Sequence, residues 1–291
     1  MPNKGAFRQE RDSKQMTQNP KADSFTPVCF TPVWFTPVWR LAADTGLLLD
    51  FNGWGPVLRP QDYRQPDPQL ARISRLRADQ IRARMQAGEL AGLTDIVPGL
   101  TSILLHYDPL ATSAAKLRDA ISLMLAEPLD SAAVQPRRWQ IPALYEGPDL
   151  GFVAEQTGLD EAEIITRHAN KSYEIAVMGF LPGLGYMTGL DPALSLPRRA
   201  EPRIRVPARS LAIAMGQSVI YPMDSPGGWH LIGAVPFDIF TPQSDQPILF
   251  RPGDLVSFEA VSQPEFAQLE AEAEQSRLPA RLRQAGADGH G

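Results

Sequence analysis

Cysteine is almost missing from this 291-residue sequence. Cys29 stands alone, which excludes an intramolecular disulfide and any cysteine-based zinc site. Long apolar runs are missing as well, and none approaches the ~18 residues of a membrane span. The N-terminal stretch has charges but no apolar segment behind them, so it does not read as a secretory signal. Basic residues are not in surplus either: 28 Lys and Arg stand against 33 Asp and Glu, for a net charge of −5. A nucleic-acid binder would show a basic face instead. These absences predict a soluble, cytoplasmic chain without membrane or nucleic-acid partners.

Common catalytic signatures are also lacking. No G-x-x-x-x-G-K-[ST] phosphate loop and no G-x-S-x-G elbow occurs. The four histidines, at 106, 168, 230 and 290, show no metal-ligand spacing, so no metal site is expected. Gly183 to Gly189 only loosely matches a dinucleotide loop, since its third glycine is one place late and no strand–helix unit follows. His106 ends a strand by itself and reads as structural.

What is abundant is proline, at 28 residues, roughly twice the usual ~5%. With 43% hydrophobic residues this is not a disordered composition. It predicts a turn-rich globular protein, because an interior proline costs a helix about 3 kcal/mol. Residues 1–40 stand apart. Positions 1–24 are polar and read as disordered, and Phe25-Thr-Pro-Val-Cys29 is then repeated twice with Trp34 and Trp39 in the cysteine's place. Proline at every fifth position excludes a helix or a central strand and favours an extended segment. The strip reads as a tandem duplication that packs loosely, or as an aromatic docking strip.

Residues 41–142 read as a ferredoxin-like α+β unit. A strand at Leu47–Phe51 precedes a helix from Pro66 to Gly88, with Asp67 as cap and Leu70, Ile73, Leu76, Ile81 and Met85 on one face. Strands at Leu93–Val97 and Ser102–Tyr107 flank a Pro98-Gly99 turn. Ser113 caps a second helix carrying Leu117, Ile121, Met124 and Leu125, and Trp139–Ile141 follows as a closing strand. The order is β-α-β-β-α-β.

Residues 143–262 begin with two short helices, Leu150–Thr157 and Asp160–Ala169, the latter with acidic residues in its first turn. Strands are then expected at Ile175–Phe180, Leu211–Ala214, Ser218–Tyr221, Leu231–Ile232, Phe237–Phe240 and Leu255–Glu259. Half of the prolines fall between Pro136 and Pro252, which suggests a small barrel or sandwich. Residues 263–291 open as an acidic helix and end as a polar tail.

Candidate chemistry concentrates in residues 178–233. Met178 to Tyr186 is a Gly/Pro-rich loop able to bring backbone N–H groups close to a ligand. Arg203 and Arg205 fall on one side of an extended segment, where two guanidinium groups suit a carboxylate or phosphate. A pair of surface charges, solvated or paired with Asp or Glu, is the competing account. Trp229, after Ser225-Pro-Gly-Gly, is a core residue or a pocket wall.

Taken in order, Gly179-Phe-Leu-Pro-Gly, Pro202-Arg-Ile-Arg-Val-Pro-Ala, Gly216-Gln217, Tyr221-Pro, Ser225-Pro-Gly-Gly-Trp229, Leu231-Ile-Gly233 and Arg251-Pro-Gly-Asp254 resemble the family of the 5-oxoprolinase B subunits. That family includes the kinase inhibitor KipI, is also labelled allophanate hydrolase subunit 1, and corresponds to half of the carboxyltransferase domain of urea carboxylase. Ile96-Val-Pro98 and Leu105 to Pro109 extend the resemblance to about 41–261.

The resemblance implies a cyclophilin-like β-barrel after the first domain. It also implies work with two partners, the homologous C and the A subunits of 5-oxoprolinase. ATP (with Mg2+) would be used at the level of that complex to open 5-oxoproline to glutamate. On this reading Arg203 and Arg205 hold a small carboxylate or its acyl phosphate. Gln217 and the loop containing Phe180, Gly183 and Tyr186 supply further contacts, and Tyr221 and Trp229 wall the pocket. His230 is a weaker acid–base candidate, and Arg205→Ala is expected to abolish activity without unfolding the chain. The alternatives are a non-catalytic KipI-like regulator and a component of an allophanate- or urea-carboxylase-type enzyme. Arg209 and Met215 replace glycines usual in the family. They are expected to resist positive φ and to crowd the pocket.

Overall fold

The computed structural model describes residues 37–51, 67–129, 136–279 and 282. Cys29, the first two copies of the pentapeptide and the polar N-terminal stretch lie outside them. No helix among the described residues is long and apolar enough to cross a membrane.

The first core forms where helices cover one face of an antiparallel sheet. Strands β1 (Val38–Ala42), β2 (Gly46–Asp50), β3 (Leu93–Pro98) and β4 (Ser102–Tyr107) lie in the order β1-β2-β4-β3. Alternation sends Ile103 and Leu105 to the core from β4, opposite Leu49 and Leu47 of β2. Helix α1 (Pro68–Gln86) starts as expected, since Asp67 accepts a 2.8 Å bond from the Gln69 N–H. Helix α2 (Ala114–Ala126) starts at Ser113 in the same way. Leu70, Ile81, Leu117 and Ile121 come from these two helices into the core.

The ferredoxin-like arrangement holds, with one exchange of strands. Trp139–Ile141 belongs to β5 (Arg138–Ala143), which pairs in parallel with β13 (Leu255–Ala260) instead of closing the first sheet. Trp139, Ile141 and Ala143 are buried in the second core. The outer place beside β2 is taken by β1, which contains Val38 and Trp39 of the last pentapeptide copy. Pro37 precedes this edge strand, where its missing N–H breaks no ladder, and Trp39 packs partly on the first core.

The second sheet has seven strands in the order β12-β9-β10-β7-β6-β13-β5. They comprise β6 (Ser172–Met178), β7 (Gly185–Thr188), β9 (Ser210–Ala214), β10 (Gln217–Ile220) and β12 (His230–Ala234), with β13 and β5. A bridge between Leu144 and Ala234 connects the two ends, so the sheet curls into a nearly closed barrel of the cyclophilin-like kind. Helices α3 (Leu150–Thr157) and α4 (Glu161–Ala169) add Val153 and Ile164 to its core, and α5 (Gln263–Ser276) follows the last strand. Two short strands, β8 (Arg203–Val206) and β11 (Ser225–Gly227), make a separate ribbon.

Phe237–Phe240, expected as a strand, forms only a single bridge, from Phe240 to Ile248. Phe237 and Ile239 are buried, so their apolar pattern serves packing rather than pairing. The RPGD motif is structural. Arg137 Nε and Trp139 Nε1 donate to buried Asp254 at 2.9 and 3.0 Å, and the Arg251 N–H donates at 2.9 Å. The two cores are tied by Arg75 of α1, whose Nη2 lies 3.1 Å from Glu174 of β6.

Candidate functional site

The outer face of β7, β9, β10 and β12 carries a second apolar layer that includes Ala212, Ala214, Val219 and Tyr221. The loop after β6 and the β8–β11 ribbon cover this layer and leave a cavity of about 70 Å³. Phe180, Tyr186, Tyr221 and Trp229 all line it, so four of the six expected binding residues converge. The rings of Tyr186 and Trp229 are 6.0 Å apart. Gly227 is required beside them, because a Cβ there would lie 2.4 Å from the Tyr221 hydroxyl oxygen. Burial pushes Tyr221 up to about 12, against the opposing pull of Arg198 and Arg203. Tyr186 is raised by burial as well. Both walls are therefore neutral at ordinary pH.

Phe180 is 67% exposed and has φ 69°, a left-handed conformation that an aromatic side chain rarely adopts. Gly183 sits in the same loop, but a side chain there would meet Phe240, so its role is packing. Gln217 shares the outer face of β10 with Val219. It is 3% exposed and does not line the cavity, and its Nε2 has no hydrogen-bond partner among the described residues.

The expected arginine pair is divided between two carboxylates of the chain itself. Arg203 grips Asp149 with two bonds of 2.8 and 2.7 Å, and Arg199 adds a third at 2.8 Å. The Leu231 N–H donates to the same carboxylate at 2.7 Å. Burial alone would raise the Asp149 pKa; the bonds from Arg203 and Leu231, with the charges of Arg203 and Arg199, hold it below the usual carboxylate range. Arg205 pairs with Asp224, its Nε at 2.7 Å, and the Ala208 N–H donates to that carboxylate at 2.8 Å. Arg203 and Arg205 do share a side, since both line a second cleft of about 330 Å³.

His230 lines neither cavity. Its Nε2–H donates to the Pro197 carbonyl at 2.8 Å, and its ring stacks on Phe152 at 5.3 Å. This places it as a brace rather than an acid or base in the pocket.

The glycine replacements also behave differently from expectation. Arg209 and Met215 do take positive φ, 68° and 54°. Met215 and Gly216 form the two-residue turn between β9 and β10, both at φ > 0 as a type I′ turn requires. Arg209 does not crowd the pocket, because its guanidinium reaches Glu270 of α5 at 2.8 Å.

Two groups escape a reading of the sequence. Arg198 lines the pocket with its guanidinium 5.9 Å from the Trp229 ring centroid. Its signal is the density of arginines from 198 to 209. His168 is fully buried inside the barrel, 2.8 Å from the Tyr145 hydroxyl and 3.0 Å from Ser218 Oγ. Ser218 also reaches the Ala212 carbonyl, which can only accept. The chain of bonds therefore runs from Tyr145 O–H to Nδ1, from Nε2–H to Ser218, and on to Ala212. Burial pushes His168 down to about 3. No sequence spacing announces this chain, since its members are 23 and 50 residues apart.

Comparison with known proteins follows the same motifs. Residues 66–250 match the family described as carboxyltransferase domain, subdomain C and D. The 5-oxoprolinase B subunit of Escherichia coli O157:H7 is 39% identical over 178 residues, covering 58% of this chain and 79% of that protein. Its counterpart of the same name in Bacillus subtilis is 33% identical over 188 residues, covering 60% of this chain and 78% of its own length. Among solved structures, the K. lactis urea amidolyase superposes with a TM-score of 0.63 at 17% identity. That match covers 83% of this chain and 16% of the larger one, and shows the shared fold. With the motif-bearing loops gathered over one face of the barrel and the match spanning both cores, this chain belongs to the family of carboxyltransferase domains, subdomains C and D.

Proposed function

We propose that the chain is the B subunit of a cytoplasmic 5-oxoprolinase-type complex and acts with the homologous C and the A subunits. In that complex 5-oxoproline is opened to glutamate at the expense of ATP. The observation that carries this reading is the convergence of Phe180, Tyr186, Tyr221 and Trp229 on one small pocket, in a chain whose relatives bear that subunit's name.

The pocket's size supports a small substrate. About 70 Å³ is well below the ~300–1,000 Å³ of sites for larger ligands, and so it does not fit a nucleoside triphosphate. ATP with Mg2+ is assigned to the assembled complex, as the resemblance to the B subunits implies. The contribution of this chain is to bind a small carboxylate, exclude water with aromatic walls and offer fixed hydrogen-bond donors.

The test is reconstitution of the chain with its partner subunits, followed by measurement of 5-oxoproline-dependent phosphate release. Release above that with ATP alone is expected; none, from an intact complex, overturns the proposal. A non-catalytic regulator of the KipI type is the second reading, favoured by the exposure of Phe180 and of Ile204, which is 92% exposed on β8. Carboxylase-type chemistry needs a biotin-linked partner and is tested by adding one to the same assay.

A further inference from the structure

Five arginines lie between positions 198 and 209. Arg199 and Arg203 share Asp149, Arg205 takes Asp224 and Arg209 takes Glu270. Arg198 differs, for no acidic side chain among the described residues pairs with it. Its backbone is nonetheless fixed on both sides. The Pro197 carbonyl accepts the 2.8 Å bond from His230, and the Arg199 N–H donates to the Gly228 carbonyl at 2.7 Å. The Arg199 side chain is in turn held by Asp149 at 2.8 Å. The brace therefore sets the Arg198 guanidinium at the pocket beside Trp229, where it is exposed and has no counter-ion among the described residues. A guanidinium held at an uncharged aromatic wall is suited to a planar carboxylate.

We propose that Arg198, rather than the Arg203–Arg205 pair, reads the ligand's carboxylate. The pocket then selects a small, flat compound bearing a carboxylate, which a five-membered lactam acid satisfies. Only the identification of that compound as 5-oxoproline rests on the proposed function; the ligand class does not.

The test uses the full-length chain, alone and in the reconstituted complex, with calorimetric titration of 5-oxoproline, its carboxamide and 2-pyrrolidone. Wild type is expected to prefer the acid over the carboxamide at least tenfold. Arg198→Gln is expected to weaken the acid tenfold or more and to erase that preference, and Arg198→Lys to restore part of it. Melting temperatures of the Arg198 variants check that the fold is intact. An acid preference that persists in Arg198→Gln overturns the proposal, as does its absence in wild type or failure of wild type to bind any probe in either form. If Arg198→Gln loses the preference yet the wild-type complex releases no phosphate on 5-oxoproline, the proposed function fails and this inference stands.

Discussion

Asp149 is the residue on which most of the site's architecture rests. It is 3% exposed and collects three guanidinium bonds and one backbone N–H. Asp149→Ala leaves Arg199 and Arg203 without their carboxylate, and breaking a buried pair in this way costs about 3–5 kcal/mol. Because Arg199 anchors the segment carrying Arg198, the same variant is expected to lose ligand affinity; urea denaturation and calorimetry check the two effects. Arg205 is the contrasting case, with its side chain 77% exposed beside a half-exposed Asp224. Arg205→Ala is expected to leave stability nearly unchanged, so turnover in the reconstituted complex reports cleanly on its chemistry. Loss of turnover there would return the anion to Arg205. The sequence shows both arginines on one side of an extended segment but not what faces them. Asp149 lies 54 residues from Arg203, and only the fold brings it near.

Elements whose signals are local are legible in the sequence. The expected N-caps Asp67 and Ser113 act as caps, and Asp160, read as part of the first turn, caps α4 as well, because capping depends on neighbours two or three residues away. Asp160→Ala removes a 2.7 Å bond to the Glu163 N–H and is expected to lower stability by about 1 kcal/mol, measured by chemical denaturation. The turn between β9 and β10 departs from the sequence expectation in one respect: Met215 takes positive φ despite its side chain. Hairpin geometry imposes this conformation, and the strain of a non-glycine residue there is of order 1 kcal/mol. Met215→Asn, a residue that tolerates the left-handed region, is expected to raise the melting temperature slightly, measured by calorimetry. Gly185–Thr188 has the sequence of a loop and is a central strand; its glycine and short length hide a pairing that β6 and β10 supply.

At the scale of the whole molecule, the buried bonds from Tyr145 through His168 to Ser218 make stability depend on pH. Folded His168 titrates at about 3 and an unperturbed imidazole at 6.5. Between these values the unfolded chain binds more protons, so the contribution is complete above pH 6.5 and is lost as pH falls toward 3. The slope is up to about 1.4 kcal/mol per pH unit. His168→Gln, which does not titrate, is expected to flatten the decline in urea stability between neutral and mildly acidic pH; an unchanged slope assigns the decline to other groups. By itself the sequence determined the caps, the apolar faces of α1 and α2, the proline-punctuated strands and the family motifs, because each depends on residues close together in the chain. Tertiary structure alone decided that β5 joins the barrel, that Arg203 holds Asp149 and that Arg198 has no carboxylate partner among the described residues. Those outcomes turn on which distant groups meet: β5 pairs with β13 across more than a hundred residues, and a guanidinium is free to bind only if no carboxylate of the fold reaches it first.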